Sequence, residues 1–149
     1  MPRILIVGYG NPLRSDDGVG WRAAEALTQY ISAPDVEILI RAQLTPEIAD
    51  DLRRCDTVIF VDATHDGEPG ELSFQRITAK SQTGGFSHDL SPVALLQLCG
   101  QIYGSYPVAF LVSLCGECFD HGEKLSSRVA ASFPHLTALV TNLAFAKRA

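Results

Sequence analysis

This sequence is short of several features that would assign its class directly. No uninterrupted apolar run approaches the roughly 20 residues that a membrane-spanning helix requires. The amino terminus opens into strand-like residues from Ile4, without the pattern of a secretory signal. Both absences point to a cytoplasmic protein with no membrane partner. Positive charge is also scarce: 12 Lys and Arg stand against 17 Asp and Glu, for a net charge of -5. A general nucleic-acid binder shows a basic stripe. Here the basic residues are scattered, and the pairs Arg53-Arg54 and Lys147-Arg148 read as solvated helix ends. Cysteine is sparse too, with four in 149 residues. A disulfide framework is not expected in a cytosolic chain of this size, and Cys55 and Cys99, beside apolar segments, read as small core residues. No internal repeat, low-complexity tract or linker suggests a second unit, so residues 1–149 read as a single domain whose modest size permits a monomer.

What is present is an alternation of strand and helix. Residues 3–8 read as a strand whose continuous apolar run, Ile4-Leu5-Ile6-Val7, suits a central strand buried on both faces. A helix follows from Asp16 or Asp17 to Tyr30, opened by acids that suit its positive end. Residues 36–40 read as a second strand. Thr45-Pro46-Glu47 predicts a short helix ending near Arg54, with Thr45 as cap and Pro46 at the first position. Residues 57–61 predict a third strand, and 72–77 alternate as an edge strand would. Ser91-Pro92 predicts a capped helix to about Cys99, with Gly100 as its stop. Residues 108–114 predict another core strand. A final helix, 126–147, is expected to bend or split at Pro134. The implied fold is α/β: a twisted, mostly parallel sheet of about five strands with helices on both faces.

The densest information lies in Gly8-Tyr9-Gly10-Asn11-Pro12-Leu13-Arg14-Ser15-Asp16-Asp17-Gly18-Val19-Gly20, between the first strand and its helix. In an open α/β sheet such a loop lies at the carboxyl edge, where ligands bind. A dinucleotide site needs a third glycine where Leu13 stands, and two acids at the helix entry repel a pyrophosphate. No Gly-Lys-Ser/Thr phosphate loop occurs either. The acids favour a cation instead. Asp16 and Asp17 are consecutive, so they cannot both point the same way; one can cap the helix while the other faces the crevice. Asp62, which ends Val58-Ile59-Phe60-Val61, adds a carboxylate from a second strand end. His65, His88, His121 and His135 are the candidates for a third group. Two carboxylates and an imidazole with open positions suit zinc, nickel or a similar divalent ion. Cys115-x-x-Cys118-x-x-His121 lacks a second cysteine pair, so a closed zinc site is not expected.

Gly8-x-Gly10-Asn11-x-Leu13-x-x-Asp16-Asp17-Gly18-x-Gly20, then Val61-Asp62-Ala63, then His88-x-Leu90-Ser91-Pro92, resemble in order and spacing the hydrogenase maturation peptidases. The Gly122-Glu123-Lys124-Leu125-Ser126 segment and the alanine-rich last helix are similar to that family's end. The resemblance implies a single α/β domain and an aspartyl-type endopeptidase. Its partner would be the precursor of a nickel-iron hydrogenase large subunit, whose carboxyl-terminal extension it removes after nickel insertion. It further implies Asp17, Asp62 and His88 as the catalytic, metal-contacting set, with Asn11 and Asp16 as substrate contacts. The nickel would arrive with the bound precursor. Cys115 and Cys118 depart from the family and resemble the metal motif of the large subunit itself, so that segment is a further candidate for touching nickel. Two other readings compete: a non-catalytic nickel-binding or metallochaperone-like module, and a small-molecule enzyme, which needs a deep apolar pocket near Asp62.

Overall fold

The computed structural model describes residues 3–82 and 90–146. These build a five-stranded sheet in the order β2-β1-β3-β5-β4. Its strands are β1 (Ile4–Tyr9), β2 (Val36–Arg41), β3 (Thr57–Thr64), β4 (Leu72–Ile77) and β5 (Val108–Cys115). The pairings β1–β2, β1–β3 and β3–β5 are parallel, and β4 closes one edge antiparallel to β5. Four helices accompany them: α1 (Val19–Tyr30), α2 (Ile48–Leu52), α3 (Pro92–Tyr103) and α4 (Ser127–Phe145).

The period-two alternation of a strand sorts the core onto two faces. Ile4, Ile6, Ile59, Val61, Val112 and Leu114 pack with α1 and α4. Leu5, Val7, Val58, Phe60 and Ala109 point the other way, against α2 and α3. Helices therefore cover both faces, as the continuous apolar runs imply. Cys99 is buried, and Cys55 packs at the margin of the same core.

Four local expectations give way. The acids at 16 and 17 lie in a short 3-10 turn, Ser15–Gly18, and α1 begins only at Val19. At Thr45 the backbone carbonyl, not the hydroxyl, receives the Ile48 N–H, so α2 starts two residues beyond Pro46. Gly100 does not stop α3. That helix continues to Tyr103, and Gly104, at a positive φ of 83°, caps it. Ser91 is the N-cap, as its sequence context implies, accepting the Ala94 N–H at 3.1 Å. Lastly, α4 is not split at Pro134: one helix runs through it. Proline inside a helix costs about 3 kcal/mol, but Val129, Leu136 and Val140 of the same helix are fully buried against the sheet, and each large apolar side chain so buried contributes about 1.5–3 kcal/mol. Ala130, whose carbonyl loses its N–H partner to the proline ring, is exposed to water.

Candidate functional site

From β1 the chain crosses first to β2 on one side and then to β3 on the other. The carboxyl ends of β1 and β3 thus flank the point where strand order reverses, the usual ligand crevice of an open α/β sheet. Asp17 follows β1 and Asp62 lies near the end of β3, and both line one cleft of about 120 Å³ with Tyr9, Gly10, Leu44 and Leu90. The loop reaches this position because α1 sits unusually close to the sheet. A side chain at Gly20 would strike the carbonyl oxygens of Val61 and Tyr9, and Gly10, at a positive φ of 142°, backs onto the carbonyl of Asp17. These glycines serve close packing of helix on strand, without the phosphate fingerprint.

Asp62 is gripped from two neighbouring strands. Ser113, its register partner on β5, donates a hydroxyl hydrogen bond to Oδ1 at 2.7 Å. The Tyr9 phenol, at the end of β1, donates to Oδ2 at 2.8 Å. Burial pushes the Asp62 carboxyl up, the Ser113 and Tyr9 bonds pull it down, and the Asp17 charge pushes it up again; the balance is raised, to about 6. Burial beside Asp62 likewise raises the Tyr9 phenol well above its ordinary range, so it remains a donor. Neither partner was singled out from sequence. The signal for Ser113 was there: a lone hydroxyl inside the apolar run 108–114, one strand over from the acid.

Asp17 is half-buried, and its Oδ2 accepts the Asn11 backbone N–H at 2.9 Å. The Asn11 side-chain oxygen in turn accepts the Leu13 N–H at 2.9 Å, closing a local turn. What the geometry gives Asn11 is a positioning role for Asp17.

Asp16 overturns its expected part as a substrate contact. It is fully buried (0% exposed) and faces away from the cleft into the segment 117–126. Its Oδ2 accepts the backbone N–H of Glu117 and Cys118 and the Ser126 hydroxyl, and Oδ1 accepts the Ser126 N–H, all between 2.7 and 2.9 Å. Burial pushes this carboxyl up, but the four donors outweigh it and hold it below its ordinary value. Ser15 just before it stands at a positive φ of 52°, with its hydroxyl on the Asp120 carbonyl. The cysteine segment is therefore a loop bracketed onto Asp16. Cys115 is buried at the end of β5, and burial raises its thiol. Among the described residues, no three of His, Cys, Asp or Glu group as a metal site, so Cys115, Cys118 and His121 do not converge as one.

Of the histidine candidates, His65 stacks on Phe119 with ring centroids 3.9 Å apart, and His121 and His135 are exposed. His88 lies outside the described residues; Leu90, two positions on, lines the cleft.

Known proteins give this geometry a context. No protein-family model matches the chain. A curated relative, the hydrogenase 2 maturation protease of Escherichia coli (strain K12), is 38% identical over 77 residues, which cover 50% of this chain and 47% of that protein. The chain spans about half the length, or less, of the curated relatives it matches. Among solved structures, the hydrogenase maturating endopeptidase HybD from E. coli superposes with a TM-score of 0.79 at 26% identity, covering 98% of this chain and 93% of that one. The hydrogenase maturation protease fold is the fold of this chain. The [NiFe] hydrogenase maturation protease HycI from Thermococcus kodakarensis KOD1 agrees equally well, with a TM-score of 0.79, 26% identity and coverage of 94% and 90%. On this maturation-protease fold, Asp17 and Asp62 share the crevice while Asp16 anchors the loop behind it.

Proposed function

We propose that this chain is an endopeptidase that removes the carboxyl-terminal extension of a nickel-iron hydrogenase large-subunit precursor once nickel has been inserted. The observation that carries the reading is the pair Asp17 and Asp62 in one small crevice of a fold shared with named hydrogenase maturation proteases. The donor set suits a divalent ion. Asp62 keeps lone pairs beyond its bonds to Ser113 and Tyr9, and Asp17 has Oδ1 beyond the Asn11 bond. With His88, the third residue of the resemblance, two carboxylates and an imidazole leave coordination positions open.

Nickel enters as part of the substrate: carried by the precursor, it would draw the tail into the crevice and polarise the groups it touches. The protein's own contribution is positional and acid–base. Asn11 fixes Asp17, Tyr9 and Ser113 fix Asp62, and burial poises the Asp62 carboxyl near neutrality, where it can take or return a proton during water attack on the peptide carbonyl. A sparse ligand set makes binding, and so cleavage, conditional on metal loading.

The surroundings favour a polypeptide over a small apolar molecule. Beside Asp62 opens a second cleft, lined by hydroxyl, amide and carboxylate side chains such as Thr64, Asp66, Ser73, Gln75 and Ser91. The test mixes the purified protein with nickel-loaded and nickel-free precursor. Only the loaded form should be shortened, and Asp17→Asn should abolish the change. A binding module without activity would lose metal affinity in Asp17→Asn and His88→Ala yet cut neither form.

A further inference from the structure

We propose that the outer edge of β4 is the docking strand for the precursor's carboxyl-terminal segment, which binds as an added, extended strand leading into the Asp62 crevice. The proposal rests on the endopeptidase reading above and deepens it.

Three observations converge on this edge. First, β4 is the outermost strand, and among the described residues no strand pairs with its outer side. Its hydrogen-bonding phase can be worked out. The Cys115 N–H donates to the Glu71 carbonyl at 2.9 Å, and bonded and non-bonded pairs alternate along an antiparallel ladder. Counting onward from Glu71, the residues Ser73, Gln75 and Ile77 bond to β5, while Leu72, Phe74 and Arg76 turn their N–H and C=O groups outward. That row is the template used in strand-addition recognition.

Second, a cleft of about 780 Å³ lies along this strand. It is bordered by Ser73, Phe74, Gln75, Arg76 and Ile77 in unbroken succession. Successive side chains of a strand alternate faces, so a cleft bordered by five in a row follows the strand's backbone edge as well as a face. Asp62 lines this cleft and also the small crevice it shares with Asp17. A chain lying along β4 is thereby led to the proposed reacting groups.

Third, the edge carries little of the usual protection. Exposed edge strands are normally blunted by lysine, proline or bulges. Leu72–Ile77 contains neither lysine nor proline and a single charged side chain, Arg76, and Phe74 is 50% exposed, tilted against Phe110. Such a strand is suited to pairing with another chain.

The experiment uses the full chain and a nickel-loaded large-subunit precursor of a [NiFe] hydrogenase from the same genome. Amide hydrogen exchange is followed on mixing, and cleavage is followed in parallel. The expected result is slowed exchange at Leu72, Phe74 and Arg76. Phe74→Pro removes an outward N–H, a loss that an edge strand tolerates, and should lower kcat/KM at least tenfold through KM. Should Phe74→Pro not fold, semisynthetic precursor with alternate tail amides N-methylated carries the same test with the enzyme untouched, and should be cut at least tenfold more slowly. Normal cleavage of N-methylated tails, with exchange at β4 unaltered, overturns the docking strand and leaves the endopeptidase reading intact. Slowed exchange without cleavage of any precursor upholds the docking strand and removes the endopeptidase. Slowed exchange that grows with protein concentration in the absence of precursor assigns the edge to a second copy of this chain and also overturns the proposal.

Discussion

Asp16 and Asp62 are both carboxylates withdrawn from water, and they are tuned in opposite directions. Behind the loop, Asp16 receives four hydrogen bonds and lies below its ordinary value. In the crevice, Asp62 receives two, faces the charge of Asp17, and is raised to about 6. Burial acts on both in the same sense; four donors outweigh it at Asp16, whereas at Asp62 two donors do not outweigh burial together with the Asp17 charge. A saturated carboxylate is a bracket, committed to its anion and to the loop it ties down. An under-satisfied one retains the capacity to bind a cation or move a proton. Asp16 and Asp17 are adjacent, yet the backbone sends one to the bracket and the other to the crevice.

This contrast can be broken by substitution. The largest effect belongs to the crevice: Asp62→Asn should lower precursor cleavage by about 10²–10⁴-fold, the usual contribution of a positioned acid or base, while the protein remains folded. Retained cleavage would remove Asp62 from the chemistry. Asp16→Ala should do the reverse. It leaves four buried donors without an acceptor, at a cost on the order of 4 kcal/mol, read in urea unfolding, and the folded fraction should still cleave.

Titration sharpens the same contrast, because the two acids predict opposite slopes. The folded Asp16 holds its proton less tightly than the unfolded chain does. Its stabilisation is full above the unfolded value of about 3.9 and is lost as pH falls through the lower folded value, so acid unfolding should be shallower in Asp16→Asn. The folded Asp62 holds its proton more tightly. Stability should therefore decline as pH rises from about 4 through 6, and that decline should be missing in Asp62→Asn. Smallest are the effects of the two supporting donors. Ser113→Ala and Tyr9→Phe each remove a bond that lowers the Asp62 carboxyl, worth about 1 kcal/mol. The acid limb of the cleavage profile should move upward by less than about one pH unit, and an unmoved limb would show that Asp62 does not set it.

Much of the frame was legible in the chain. Apolar runs such as Ile4-Leu5-Ile6-Val7 and Val58-Ile59-Phe60-Val61 can be buried only on both faces, and the alternation at 72–77 marks an edge. Asp62 was legible for the same reason, since a charge ending a core strand needs a purpose. Less legible was anything set by competition. Pro134 reads as a breaker, but buried side chains on either side hold α4 together. Gly100 reads as the stop of α3, yet the helix passes it and Gly104 takes the left-handed backbone instead. Tyr9 and Ser113 carried no motif, because their role comes from strand register.

Local patterns thus determined which segments are strands and helices, which strand lies at the rim, and which acids end up near the carboxyl edge, because periodicity, caps and chain direction are properties of neighbouring residues. The choice between bracket and crevice for Asp16, the grip of Ser113 and Tyr9 on Asp62, and the outward row of β4 were decided only when the sheet assembled. Each depends on groups 51 to 110 residues away in the chain or on the phase of a ladder. Desolvation and donor count arise from those distant contacts, and they set the chemistry of a carboxylate.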